Sequence, residues 1–512
     1  MPWSPKFIET LDQPSKEVHF ILKFIQSSKD YSLTNGQQYT TTTEVRIGAS
    51  EVTIDSSQIT PQRWSINFGG FTIVLNGDLR PILSKGLRKG AVAELIMVRN
   101  GFRNRVNIGQ LRSITGGRGI WTLEFSDFLS VLQARLTTKI AETEFWYNAG
   151  KTAKLTQNFN ISSSANLYLD DITMFEKETS QNGIIKVEDV SSGAIDYWTW
   201  SSKTTTSAPA GYLTIASTGN YPNTGSAITV LAINDIATSL ARLRGRPDYV
   251  FARLVMSTGS GTQGAFDDYP SSWSSGVEWN PNLFNLQNLN AYYQTNWATS
   301  SGTHEIDVLI SQPSNINTFL DAVLSMGMWP TWYQNELTWR VCQNPNQAPW
   351  ISVQRHLTDR DIVSIDSHQL YSISQSVVYG KSIIRTYNTS TSQYELNTSS
   401  GTSIAMLPSE ESITRDLSEV YRIDSPVQSV QADADLKRLQ RWDKEPYEEL
   451  DITVHEKHCL LTSGDIVEIS SKYIYGLREP TTDTYSNRRA MVLGVRWNPM
   501  RGTVNLKLGV VS

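Results

Sequence analysis

The run His455-Glu456-Lys457-His458-Cys459 is the densest set of metal-ligating side chains in the chain. Read as a strand, it sends residues 455 and 458 to opposite faces, so their imidazoles converge poorly on one ion. Asp267-Asp268 and the pair Asp433 and Asp435 offer carboxylates of the kind that bind Ca²⁺ or share acid and base work at a glycosidic bond. Asp433 and Asp435 precede Leu436-Lys-Arg-Leu, where they suit the first turn of a helix and its positive dipole end. Asp267 and Asp268 stand in a Gly-rich loop, where carboxylates are ordinarily solvated. Ser257-Thr-Gly-Ser-Gly-Thr-Gln-Gly lacks the Gly-Lys-[Ser/Thr] ending of a phosphate loop. Neither Cys342 nor Cys459 has a His arranged to make it a nucleophile. No catalytic set, metal or cofactor is expected. One aromatic group remains. Tyr197, Trp198, Trp200 and Tyr212 could stack on sugars or on another subunit, with Trp198 and Trp200 on one side of a strand. The bland alternative is the aromatic core of a small domain.

Composition narrows the classes further. The 512 residues exceed one compact core and imply two to four domains. Hydrophobic residues make up 39% and charged residues 19%, a globular balance. The net charge of −5 and the absence of a basic region argue against a general nucleic-acid binder, which needs cations to neutralise phosphates. Two cysteines far apart in sequence fit a chain assembled in the cytoplasm with free thiols. No apolar run reaches the length of a membrane span. The opening residues lack a signal-peptide core, so export by the ordinary secretory route is not expected.

The elements that would carry these residues are mostly short strands. Val18, Phe20 and Leu22 alternate with polar neighbours, and Val45, Ile47, Val52 and Ile54 suggest a strand pair around Gly48. Leu79 to Leu87 suits a short helix. Then Gly90-Ala-Val-Ala-Glu-Leu-Ile, Val106 to Ile114 with Gly109 inside it, a turn ending at Gly119, and Ile120 to Phe125 form three strands. Asp127 fits as the cap of a helix from Phe128 to Leu136. The far end of the chain repeats this layout: Gly464-Asp-Ile-Val-Glu-Ile, Ala490 to Trp497 with Gly494, a turn ending at Gly502, and Thr503 to Leu508. Its first two strands are separated by a longer polar loop, Ser470 to Arg489. Any two β-meanders could share such a layout, but the matched order favours an internal duplication, which decides architecture. The expected fold is mainly β with α+β modules: two related β-barrels, one near each end, plus smaller intervening domains, barrels that the resemblance given below implies to be tube-like. The glycines Gly90, Gly109, Gly119, Gly464, Gly494 and Gly502 are expected at the barrel turns. The expected boundaries are 1–142 for the first barrel, 143–235 for a β-rich insertion, 236–350 for an α/β module and 351–512 for the second barrel. Ser201 to Ala210 reads as a polar loop. Ile236, Leu240 and Leu243, then Tyr249, Phe251 and Leu254, read as helices broken at Arg246-Pro247. Ile316, Phe319, Leu320, Val323 and Leu324 give a helix stopped by Gly327, followed by a hairpin over 330–341.

In order along the chain, several segments resemble tailed-bacteriophage baseplate hub proteins. The helix and hairpin at 315–341 resemble a module of those hubs. His356-Leu-Thr-Asp-Arg-Asp-Ile-Val resembles the segment that follows it, and Val377 to Tyr387 the strand pair that opens the second barrel. Leu439-Gln-Arg-Trp to Val454, with Ser463-Gly-Asp-Ile-Val-Glu-Ile, resembles that barrel's close. Arg246-Pro-Asp-Tyr-Val, Ser257 to Pro270 and Trp273 resemble a signature of hub-like tail proteins, although Ser274-Ser275-Gly276 departs from its Trp-Gly pair. The resemblance covers most of 15–140 and 236–512. It implies a homotrimeric, pseudo-hexameric ring that continues a tail tube and adapts sixfold to threefold symmetry, at the tail tip of a virion. The implied partners are the distal tail protein, the tape-measure C-terminus and a central fibre or tip protein, with DNA passing through unread. A different class, a receptor-binding or tailspike-like protein contacting host glycans, would make use of the aromatic group at 197–212.

Overall fold

The computed structural model describes residues 3–13, 17–27, 39–61, 65–85, 87–127, 150–175, 182–217, 228–245, 306–310, 327–333, 336–342, 353–371, 379–388, 393–399, 412–416, 442, 447–477 and 484–510. The fold is mainly β. The N-terminal part begins with α1 (Pro5–Leu11), whose Ser4 side chain accepts the Phe7 N–H at 3.3 Å and caps the first turn. Seven strands make the first barrel: β1 (Val18–Ser27), β2 (Tyr39–Ile47), β3 (Ala49–Asp55), β4 (Gly70–Asn76), β5 (Val92–Arg99), β6 (Phe102–Gly117) and β7 (Ile120–Asp127), with a small hairpin, Gln58–Thr60 and Ser65–Asn67, between β3 and β4. A four-residue helix, α2 (Arg80–Leu83), links β4 to β5. The C-terminal part has β8 (Val353–Thr358), β9 (Ile362–Tyr371), β10 (Tyr447–His455), β11 (Ile466–Tyr475), β12 (Thr484–Asn498) and β13 (Thr503–Val510).

The pairing order β2-β1-β5-β6-β7-β4-β3 begins and ends on one polypeptide stretch, because only Gly48 separates β2 from β3. A strand that bends at a glycine can pair with both ends of a sheet and so close it into a barrel. The second sheet closes in the same way. Its order is β9-β10-β13-β12-β11-β8, and the turn Asp359–Asp361 joins β8 to β9.

The two barrels match in the pairing around their long strands, although β9 has a bulge between Ile365 and Ser367 that β3 lacks. Gly90 N–H donates to Leu111 O at 3.0 Å and Leu111 N–H to Ala91 O at 2.8 Å; Gly464 N–H donates to Val492 O and Val492 N–H to Asp465 O, each at 2.8 Å. Each long strand then bulges at the same place, between Leu111 and Ser113 in β6 and between Val492 and Gly494 in β12. Following the pairing outward, Phe125 corresponds to Leu508, Phe71 to Leu450 and Val52 to Ile365. A further bulge recurs between Ala49 and Glu51 in β3 and between Ile362 and Ser364 in β9. Because a one-residue slip turns every side chain to the other face, shared register and shared bulges are strong evidence of duplication. One strand has no counterpart. β1 lies between β2 and β5, antiparallel to both, whereas β8 pairs directly and in parallel with β11.

Alternating side chains fill both barrels. Phe20, Leu22, Phe71, Ile73, Leu123 and Phe125 face inward in the first, and Leu450, Ile452, Val467, Leu506 and Leu508 in the second; all belong to one continuous apolar cluster. Phe71 and Phe125 stack with centroids 4.3 Å apart.

Four expectations need correction. Residues 236–245 form a strand, not a helix. It pairs with 152–154, 183–189 and 306–310, so the sheet of the insertion continues past 235. Residues 201–210 are not a loop: Ala194–Ser207 and Ala210–Ser217 form a long hairpin whose outer half is exposed. The polar loop at 470–489 is largely strand, since β11 runs to Tyr475 and β12 resumes at Thr484. Finally, Tyr379–Asn388 does not open the second barrel. It lies in a separate sheet with 393–399 and 412–416, and the barrel is opened by β8 and β9. The hairpin Met328–Tyr333 and Glu336–Val341 is present as expected. The expected helices 128–136 and 315–326, together with 246–276, Asp433 and Asp435, lie outside the described residues.

Candidate functional site: the joint between the barrels

The two barrels are one sheet because β3 pairs with β12. Ile54 lies opposite Trp497 and Asp55 opposite Arg496. Beyond them, Ser56 N–H donates to Val495 O at 2.8 Å, and Val495 N–H donates to Ser56 Oγ at 3.0 Å. On the solvent side, Arg496 Nε meets Asp55 Oδ1 at 2.7 Å, and Glu51 accepts from Asn498 Nδ2 at 3.1 Å. On the core side, Ile54, Val495 and Trp497 pack with Trp3 of the N-terminal segment, the two indoles 5.6 Å apart.

Beneath the joint lies an ion pair between barrels. Arg99, the last residue of β5, bonds Glu456, which follows β10; the side chains are 3% and 7% exposed. Glu456 also accepts the Trp497 indole N–H at 3.0 Å, and Arg99 donates to Gln13 O at 3.0 Å. Burial pushes the Glu456 carboxyl up, against the Arg99 guanidinium and the Trp497 N–H that pull it down. The surrounding hydrogen bonds make this a positioned junction and not a loose contact between domains. The run His455 to Cys459 is not the expected strand: Glu456–His458 is a 3₁₀ turn. Its buried acid faces Arg99, and His458 bonds Asp361 at 3.3 Å. The pairing of Glu456 with Arg99 is not legible in sequence, because nothing local marks a partner 357 positions away.

The outer face of the joined sheet is polar. A groove of about 770 Å³ crosses the joint, lined by Asp55, Thr72, Arg112, Glu124, Arg496 and Lys507 among others. Acids and bases neutralise one another along it, as in Lys507 with Glu449 at 2.8 Å. Among the described residues no group of three or more His, Cys, Asp or Glu side chains is placed to hold a metal ion.

The aromatic group at 197–212 divides between two faces. Trp198 and Trp200 are buried in the core of the insertion with Phe159, Leu167 and Leu213, and the Trp198 indole donates to Asp196 Oδ2 at 2.9 Å. They offer no stacking surface, so burial removes them from the glycan or subunit contact. Tyr197 is half-buried beside Ile184 and Leu240 on the opposite face. Tyr212 is half-buried with its ring 5.2 Å from Tyr168. The glycines also divide. Gly90, Gly119, Gly464 and Gly502 stand at turns with φ of 85°, 83°, 93° and 64°, the left-handed region that favours glycine. Gly109 and Gly494 are not turn residues; both lie inside strands, and they are not equivalent. Gly109 corresponds in register to Ala490, and Gly494 to Ser113. A Cβ at Gly109 would collide with Ser126 O.

The hairpin at 328–341 ties both barrels from one side. Trp332 Nε1 donates to Asp127 Oδ1 at 2.7 Å, while Trp329 Nε1 donates to Ser463 Oγ at 3.1 Å. Asp127 therefore ends β7 and anchors the hairpin.

No protein-family model and no curated protein matches the chain. Three solved structures are similar to it over nearly their full lengths. The tail protein from Neisseria meningitidis MC58 is 11% identical with a TM-score of 0.38, over 96% of each chain. The 43 kDa tail protein of prophage MuSo2 from Shewanella oneidensis is 9% identical with a TM-score of 0.38, over 96% of this chain and 97% of that one. Prophage tail protein gp18 from Listeria monocytogenes EGD-e is 9% identical with a TM-score of 0.37, over 96% and 94%. Likeness at these scores decides nothing about the work this chain does.

Proposed function

We propose that the chain is a structural, non-enzymatic component of a bacteriophage tail: a baseplate hub at the tail tip of the virion. Three copies form a pseudo-hexameric ring that continues the tail tube and adapts sixfold to threefold symmetry. The observation that carries this reading is the duplication: two barrels of one register, joined edge to edge into a single sheet. A chain that supplies two equivalent wall segments lets three molecules line a passage six times over. The ordered resemblance to hub proteins along 15–140 and 236–512 supports it independently. In the ring, the polar outer face of the joined sheet lines the lumen, where self-neutralised charge lets the tape-measure C-terminus and DNA pass without being held. The distal tail protein and a central fibre or tip protein dock on the two ends. The test is mass in solution by light scattering, with electron microscopy of the same sample. Annular particles of three chain masses are expected. A monomer with no tendency to form rings at high concentration would overturn the reading.

A further inference from the structure

The backbone joint between the barrels is short: Ile54 with Trp497, Asp55 with Arg496, and the bonds between Ser56 and Val495. So brief a contact fixes register and direction, while the angle between the two bodies is set by what packs against it. On the core side that packing comes from residues 3–13. Trp3, 7% exposed, stands against Trp497 of the second barrel and donates its indole N–H to Arg105 O of the first at 3.0 Å. At the other end of the segment, Gln13 O accepts from Arg99, the first-barrel half of the buried ion pair. Phe7 and Leu11, between them, are buried in the shared core. The attachment is by side chains. Among the described residues, the backbone hydrogen bonds of residues 4–13 close within the segment and reach no strand backbone, while Asn104 Nδ2 meets Ser4 Oγ at 3.3 Å. A segment held in this way opens before the paired strands do.

There is also room for the barrels to turn. A cleft of about 660 Å³ separates residues 11–13 and Val18 from residues 455–457 and 499–502 of the second barrel. A smaller cavity of about 70 Å³ lies under the segment, lined by Trp3, Trp332, Trp497 and Cys459 among others. We propose that residues 3–13 are a releasable strap that sets the angle between the barrels. Seated, Trp3 is a wedge on the core side of the joint and keeps the cleft open. Lifted, it leaves the barrels free to turn about the line where β3 meets β12, and the cleft narrows. The strap is a device of the single chain and does not depend on how many copies assemble.

The test reads the angle in the full-length chain. Glu17, whose carbonyl accepts from Asn100 N–H in the first barrel, and Met500 in the second are both exposed. Glu17→Cys and Met500→Cys carry nitroxide labels across the cleft, diluted with unlabelled protein so that electron paramagnetic resonance reads distances within one chain. The native Cys342 and Cys459 are buried. One narrow distance is expected. Trp3→Ala is expected to broaden it and add a shorter one, and Trp3→Phe, which refills the seat with a ring, to restore it. An unchanged distance in Trp3→Ala would overturn the proposal even if the melting temperature fell, because a segment that only stabilises does not set an angle. A second measurement covers the case in which Trp3→Ala does not fold. With no label added, Cys459 is expected to react with a thiol reagent through strap opening, roughly tenfold or more faster than the fully buried Cys342, as read by peptide mass. A crosslink between Ser4→Cys and Asn104→Cys, whose parent side chains are 3.3 Å apart, pins the strap and should abolish the difference. Equal rates without the crosslink, or a Cys459 rate that the crosslink leaves unchanged, would also overturn the strap.

Discussion

Substituting Glu456 by Ala leaves Arg99 buried with its charge uncompensated. The guanidinium keeps its bond to Gln13 O but loses the one carboxylate that pairs with it among the described residues, and the Trp497 indole loses its acceptor. Breaking a buried pair on one side costs about 3–5 kcal/mol, and an orphaned buried donor about 1–3 kcal/mol. The two penalties overlap, because a water admitted to the gap would serve both groups. A loss of about 4 kcal/mol is expected, a large share of the roughly 5–15 kcal/mol that holds most domains folded. The loss is also located. Arg99 belongs to the first barrel and Glu456 to the second, so the two should cease to unfold as one unit. Calorimetry on Glu456→Ala should resolve two transitions where the wild type shows the barrels melting together. The companion variant removes both charges: Arg99→Met with Glu456→Leu fills the space with apolar groups and should recover most of the loss. Trp497 N–H stays unsatisfied there, so recovery is incomplete. If Glu456→Ala cost less than about 1 kcal/mol, the pair would be screened by water and the rigid joint inferred from its burial would be wrong.

Glu94 gives a pH prediction. Burial alone would raise its carboxyl, but Arg105 at 2.7 Å and Lys23 at 3.1 Å outweigh it and hold the group below the ordinary carboxylate value. A depressed acid stabilises the fold above its unfolded value, and that stability disappears as pH falls through the folded value. Glu94→Gln should therefore flatten the fall in melting temperature on acidification below about pH 5, while a slope identical to wild type would remove Glu94 from the account. Gly183→Ala places a methyl inside the Trp200 indole, and overpacking of this kind costs about 1–3 kcal/mol. The melting of the insertion should shift while both barrels keep theirs. Phe71→Ala removes one ring of the Phe71–Phe125 stack and opens a cavity in the first barrel, with an expected loss of about 3–5 kcal/mol in denaturant unfolding. A loss under about 1 kcal/mol would mean that the barrel collapses onto the gap.

The strands flanking the repeated turns were legible because their conformation is written in local residues. Gly90 and Gly464 each stand two residues before a strand, and inward apolar side chains alternate after them, as at Leu123 and Phe125 or Leu506 and Leu508. Ile236 to Leu243 reads as a helix in sequence because residues 237–240 are covered on both faces. Ala237, Thr238, Ser239 and Leu240 are all buried, which erases alternation and leaves a spacing that mimics a helix. The hairpin beyond Trp200 was hidden by its serines, although Thr204 to Thr206 are β-branched and suit a strand. The joint was not legible at all. Asp55 with Arg496, and Arg99 with Glu456, are pairs that no local pattern connects. Matching Gly109 to Gly494 found the right strands and the wrong register, since a single glycine cannot fix a bulge that the backbone pairing fixes at once.

What duplication preserved here is backbone order, while the side chains diverged. Glu124 stands where Lys507 does, Phe125 where Leu508 does, and Gly109 where Ala490 does. The bulges at Leu111/Ser113 and Val492/Gly494, and at Ala49/Glu51 and Ile362/Ser364, recur because a closed barrel fixes the stagger of its strands. The same constraint bears on assembly. In the pseudo-hexameric ring proposed above, contacts between copies and the joint within a chain turn the wall through similar angles, and the size of the ring is not a free variable. Each molecule contributes two such turns, so a sixth of a circle at the joint closes three copies. A smaller turn demands more copies, and any axial rise at the joint winds the chain into a filament in place of a ring. On the ring reading proposed above, the angle between the two barrels of a single molecule would decide the copy number, and Arg99, Glu456 and Trp497 are side chains that hold the two barrels together.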